Sequence, residues 1–197
     1  MKNSIQSTFT LTPTINNEKQ RELVDFLFNI KTLYPNKESL AFICIGTDRS
    51  TGDALGPLVG SMLCTLGFNH VYGTLDKPCD ADYVQQSIDD ALNKNKIVIA
   101  IDACLGTEQA IGTFICANKP LVPGAAVGRT LPPVGHYSIA AVVNKRGLKS
   151  YWQLQHTSLF YIYRMVYTLQ QAFETVWKEE KEYEYEFIDN KSAVANR

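Results

Sequence analysis

The most regular pattern in the chain is an alternation of helically spaced apolar positions with short, unbroken apolar runs. Leu23, Phe26, Leu27 and Ile30 recur at spacings of three, one and three, which places them on one stripe of a helix that begins near Asn17 and is closed by Pro35. Leu40 to Ile45 follow as a continuous apolar run, the pattern of a strand buried on both faces. Leu58, Val59, Met62, Leu63 and Leu66 predict a second helix with Gly67 as its C-cap, and a short strand is expected over about residues 70 to 75. Asp80 is placed to cap a third helix that carries Val84, Ile88 and Leu92 on one face. The turn Asn93-Lys94-Asn95 then returns the chain to a third strand, Ile97 to Ile101, which runs straight into Asp102.

Helix and strand alternating in this way argue for an α/β fold, a mostly parallel central sheet covered by helices on both faces. Gly112 to Ala117 and Ser138 to Val143 read as two further strands of that sheet. Between them lies a long segment rich in proline and glycine, Asn118 to Tyr137, and loops of that length inside a compact domain are usually functional or disordered. A last helix is expected from about Ser158 to Lys181, with Leu159, Ile162, Tyr163, Val166, Leu169, Phe173 and Val176 on its buried stripe. Its acidic end, Glu179 to Glu186, reads as a solvated terminus. The chain thus reads as one domain over residues 17 to 186, flanked by flexible segments 1 to 16 and 187 to 197.

Composition narrows the function classes. The 197 residues are 45% hydrophobic and 20% charged with a net charge of -1, which offers no electrostatic footprint for nucleic acid or an anionic membrane. Small neutral ligands, peptides or proteins are the expected partners, and an oligomer is open. No stretch reaches the ~18 apolar residues of a membrane span, and the polar N-terminal residues do not resemble a signal peptide, so a cytoplasmic location is expected. The five cysteines, Cys44, Cys64, Cys79, Cys104 and Cys116, form no CxxC pair and read as free thiols.

The candidate chemistry lies where two apolar strands meet acidic residues. The first strand opens into the loop Gly46 to Pro57, which carries Thr47, Asp48 and Asp53, and the third opens onto Asp102. Ligands in open parallel sheets bind beyond the carboxyl ends of the strands, where the strand order reverses, so two neighbouring strands would bring Asp53 and Asp102 together. Taken alone, Asp53 before Ala54-Leu55-Gly56-Pro57 has a simple structural reading as a helix cap. Taken with Asp102, mutual repulsion would raise one pKa and make an acid/base pair available near neutral pH, or the two carboxylates would hold a divalent cation. No cofactor is required if the pair suffices.

His136, at the threshold of a strand after the long loop, is a third candidate site residue, for a catalytic or metal-ligand role. The loop from residue 123 to 135 offers Gly124 and Gly128 for backbone donors and Arg129 as a cation, with Gly46, Thr47 and Asp48 lining the other side. Cys104 stands two residues beyond Asp102 and reads as a buried, inert thiol. No Gly-x-Ser-x-Gly elbow is present, so a serine hydrolase triad is not expected.

Three ordered stretches carry a resemblance: Gly46 to Pro57 ending in Asp53-Ala54-Leu55-Gly56-Pro57, then Val98-Ile99-Ala100-Ile101-Asp102-Ala103, then Pro123-Gly124 to Val127-Gly128. Over about residues 38 to 175 the chain resembles the spore germination protease and, more closely, the YyaC family of sporulation proteins related to it. That resemblance implies a phosphorylase/hydrolase-like three-layer α/β sandwich, shared with the hydrogenase maturation proteases. It also implies an endopeptidase site of two aspartates, which map onto Asp53 and Asp102. In the hydrogenase maturation enzymes two acidic residues and a histidine bind the nickel of the substrate protein, a set that Asp53, Asp102 and His136 could mimic. The expected role is therefore sporulation-related peptide hydrolysis on a protein substrate such as a spore protein, in the forespore or spore. The alternative is a non-catalytic sporulation protein that binds a peptide or metal in the same cleft.

Overall fold

A computed structural model describes residues 18–124 and 131–177, so the expected flexible ends lie outside the described residues. In chain order the described elements are α1 (Glu18–Leu33), β1 (Leu40–Cys44), α2 (Leu55–Thr65), β2 (Val71–Tyr72), α3 (Val84–Asn93), β3 (Ile97–Gly106), β4 (Phe114–Ala117), β5 (Tyr137–Lys145), α4 (Ser150–Gln155) and α5 (Leu159–Trp177). The sheet order is β2-β1-β3-β5-β4. The pairs β1 with β2, β1 with β3 and β3 with β5 are parallel, and β4 closes the edge antiparallel to β5. The mostly parallel α/β sheet expected from the sequence is the architecture found.

Strand alternation sorts the core into two layers. Leu40, Phe42 and Cys44 of β1 and Ile99 and Ile101 of β3 join α1, α2 and α5 in the larger core. Ala41 and Ile43 of β1 and Val98 and Ala100 of β3 face the other way, against Val84 and Ala91 of α3 and Val134. At the centre of the larger layer, Phe42, Phe68, Phe173 and Trp177 form edge-on and stacked ring pairs with centroids 4.8 to 5.8 Å apart.

Several expectations need correction. The third strand does not stop at Ile101. It runs on to Gly106, because β5 pairs with it through that residue while β1 ends opposite Ile101. On α3 the buried positions are Val84, Ser87 and Ala91, and Leu92 faces solvent. On α5, Leu159 and Tyr163 point outward, while Met165, Ala172 and Trp177 take core positions beside Ile162, Leu169, Phe173 and Val176. The helix α4 was not anticipated.

Candidate functional site

The strand order turns at β1. The connection through α2 places β2 on one side of it and the connection through α3 places β3 on the other, so the carboxyl ends of β1 and β3 frame a crevice. A cavity of about 710 Å³ lies there, within the range of small-ligand and peptide sites. Asp53 and Asp102 both line it.

Each carboxylate has a local cause for its position. Asp102 continues the Val98–Ala100 row on the α3 face of β3, one residue past the last register pair with β1. Its side chain therefore emerges where β1 no longer covers the sheet. Asp53 is delivered by the loop that leaves β1, and that loop closes on itself through two glycines. Gly46 has φ +147, and a Cβ there would collide with the carbonyl oxygen of Asp53. A Cβ on Gly56 would collide with the carbonyl oxygen of Ile45 in the same way. Backbone packs on backbone at both points, which only glycine permits.

Asp53 does not cap α2. The N-cap is Ala54, in helical conformation and without a side-chain cap, and the first turn is stabilised instead by backbone bonds such as Ala54 N–H to Ser50 O at 2.9 Å. The Asp53 carboxyl is thereby left to the cavity.

Both carboxyls keep some surface on the cavity, yet the surrounding protein favours their neutral forms. Burial pushes Asp102 well above its ordinary value of 3.8, the charge of Asp53 pushes it further, and a hydrogen bond from the Ala103 backbone N–H acts against the shift. Burial also raises Asp53, tempered by the neighbouring Ser50 hydroxyl. That hydroxyl is itself buried and has no hydrogen-bond partner among the described residues. Cys104 lines the cavity as well, and its thiol is pushed up to about 11 by burial first and Asp102 second, so it stays protonated.

Of the loop residues expected around the site, Gly46, Thr47 and Gly124 line the cavity, and Gly124 has φ +86. Asp48 is exposed and lies outside the lining. Gly128 and Arg129 lie outside the described residues.

His136 is not brought to the aspartates. It precedes β5 at the opposite end of the sheet, where its backbone N–H donates to Val98 O at 2.7 Å and its Nδ1 accepts from Val98 N–H at 3.0 Å. Val98 is four residues before Asp102 on an extended strand, roughly 13 Å along the sheet at ~3.3 Å per residue. A metal set of Asp53, Asp102 and His136 is therefore not formed. The described residues hold no group of three or more His, Cys, Asp or Glu side chains arranged for a metal ion.

The structure adds cavity residues that the sequence reading passed over. Arg49 hydrogen-bonds Thr47 Oγ1 at 3.1 Å and pairs with Asp80 at 3.1 Å across the mouth. Arg146, Ser150, Tyr151 and Leu154 form a further wall. The helix carrying the last three is anchored to the Asp53 loop, because Gly52 N–H donates to Leu154 O at 2.9 Å. A signal for it exists in the sequence: Leu148, Tyr151 and Trp152 have spacings of three and one, but the structure turns that stripe outward.

Comparison with known proteins agrees with this architecture. The crystal structure of a [NiFe] hydrogenase maturation protease, HycI, from Thermococcus kodakarensis KOD1 superposes with a TM-score of 0.54, covering 77% of this chain and 99% of that one. At 20% identity the likeness is one of fold. A Bacillus subtilis (strain 168) relative, the uncharacterized protein YyaC, is 43% identical over 150 residues, which span 72% of this chain and 73% of the relative. The family model described as a protein of unknown function, DUF1256, matches residues 13–172, and the chain belongs to that family.

Proposed function

We propose that the protein is an endopeptidase-type hydrolase in which Asp53 and Asp102 act as an acid/base pair on water. The observation that carries this reading is the pair itself, two carboxyls lining one cavity at the switch point, both raised by burial and Asp102 raised further by Asp53. Coupled carboxyls lose their protons in two steps that belong to the pair, and the more deeply surrounded Asp102 keeps the last proton. Ionised Asp53 then takes a proton from a water molecule as its oxygen attacks the peptide carbonyl, and Asp102 gives its proton to the carbonyl oxygen. In the collapse of the tetrahedral intermediate, Asp53 returns its proton to the leaving amine and Asp102 recovers the hydroxyl proton. The net change is one water consumed and one peptide bond broken.

The protease-like fold supports a protein substrate. A spore protein as that substrate, and the forespore as the setting, rest on the resemblance of the loop and strand motifs. The test is to incubate wild type, Asp53→Asn and Asp102→Asn, matched for folding by circular dichroism, with extracts from successive sporulation stages. Wild type should shorten at least one protein, and each variant should lose at least ~100-fold of that activity, since acid/base groups typically contribute 10²–10⁴-fold. Activity should survive a chelator. If wild type cleaves nothing at any stage but retains a partner that both variants release, the protein is a binder and the peptidase reading is wrong.

A further inference from the structure

Beside the cavity, the surface is unusually apolar. Half of the large exposed apolar side chains among the described residues fall between residues 148 and 163. Scattered exposed apolar residues are ordinary, but a contiguous group marks an interaction surface. Here the group falls in one stretch of chain, α4 and the start of α5, and reaches the site through Tyr151. Tyr151 is 48% exposed and also lines the cavity, and its ring lies edge-on to that of Trp152, itself 55% exposed. Three residues after α4, the outer face of the first turns of α5 presents Leu159, Phe160 and Tyr163, each more than 60% exposed. The buried stripe of the same helix, Ile162, Met165 and Leu169, holds that face outward.

The position of this ledge is fixed relative to the chemistry. The Gly52 to Leu154 hydrogen bond ties α4 to the loop that carries Asp53, and Gly52 has no room for a Cβ against the Leu154 backbone. Anything lying on α4 is therefore positioned relative to Asp53. A polypeptide with its scissile bond in the cavity must leave over a rim, and on this side the rim is an aromatic shelf.

We propose that this shelf binds an extended segment of the protein substrate carrying aromatic or branched aliphatic side chains on one side of the cleaved bond. The inference rests on the peptidase reading for its occupant. Tyr and Trp suit such a role, since they give large contact area at little conformational cost while their polar edges stay wet.

The chain supplies its own reporter. It has two tryptophans, and Trp177 is 7% exposed in the core while Trp152 stands on the ledge. Asp102→Asn protein, and independently Asp53→Asn protein, would be titrated with a twelve-residue Gly/Ser peptide bearing Phe-Leu-Phe at its centre, and with the same peptide bearing Ser at those positions. Expected is a saturable blue shift of tryptophan emission with the first peptide alone, absent in a Trp152→Phe background. Phe160→Ala and Tyr163→Ala should weaken binding at least tenfold, whereas Leu92→Ala, exposed on α3, should not. Equal response to both peptides, or no response, overturns the proposal. So does a blue shift that depends on protein concentration without peptide, which assigns the ledge to a second copy of the chain, or one produced only by vesicles of anionic lipid. Docking without cleavage by wild type leaves the ledge standing and removes the peptidase reading. Cleavage of the Phe-Leu-Phe peptide at rates unaffected by Phe160→Ala and Tyr163→Ala does the reverse.

Discussion

The neutral form of the Asp102 carboxyl is favoured by its surroundings, and that ties the stability of the fold to pH. Folding raises its pKa above the ordinary 3.8. The folded state therefore binds a proton more tightly than the unfolded state, and the resulting stabilisation is full below about pH 3.8 and is lost as pH rises through the folded value. Asp102→Asn removes that loss, so its melting temperature should exceed wild type at pH 7 to 8 and converge with it near pH 4, read by calorimetry at both. Each ~1 kcal/mol recovered corresponds to about 2–4 °C for a domain of this size. Asp102 was legible in the sequence because a carboxylate at the end of a buried apolar run has few structural explanations, whereas Asp53, which alone read as a helix cap, was picked out only through Asp102. His136 was misleading because a residue at a strand threshold lies at one end of the sheet or the other according to strand direction, and β5 runs parallel to β3, which puts its entry at the far end.

At the scale of elements, the loop between β1 and α2 is the most exacting piece of chain. Its contact glycines, Gly46 and Gly52, and Gly56 in the first turn of α2 meet backbone rather than flexible side chains. Gly56→Ala should therefore cost about 3 kcal/mol, at the high end for single substitutions, and lower the melting temperature by about 6–12 °C. Sequence periodicity located α1, α2, α3 and α5 because each buries a stripe. It placed Leu92, Leu159 and Tyr163 in the core because spacing identifies a face but not its edges. It passed over α4, of which only Leu154 is buried while Tyr151 and Trp152 point outward to the ledge, so the helix lacks the buried stripe that the other helices show. The overrun of β3 to Gly106 was hidden because Asp102 interrupts the apolar run that defines a buried strand.

For the whole molecule, alternation of helix and strand was enough to specify a parallel sheet with two covers, and with it the switch point where the cavity lies. What it did not specify was the antiparallel return of β4 to the edge, since a short strand after a turn carries no signal of its direction. The same packing protects most of the thiols. Cys44 and Cys79 are buried, Cys104 and Cys116 are partly buried with pKa values of about 11 and 12, and Cys64 is exposed. Titration with a thiol reagent should give one fast equivalent in the native protein, removed by Cys64→Ser, and five after denaturation, with or without prior reduction. Fewer than five without reductant would reveal a disulfide.

The extension of β3 beyond β1 gives the two carboxyls unequal mechanical footing. Asp102 stands in the middle of a ten-residue strand that remains paired with β5 on both sides of it. Asp53 hangs from a loop held by close backbone contacts at Gly46, Gly52 and Gly56 and by backbone bonds to α4 and to Cys79. Adjustment of the gap between them must therefore come from the loop. Amide hydrogen exchange should show this as compliance on one wall only: protection through residues 99 to 104 close to that of global unfolding, and exchange through residues 47 to 53 by local opening at lower free energy. The cavity works as a vice with one fixed jaw.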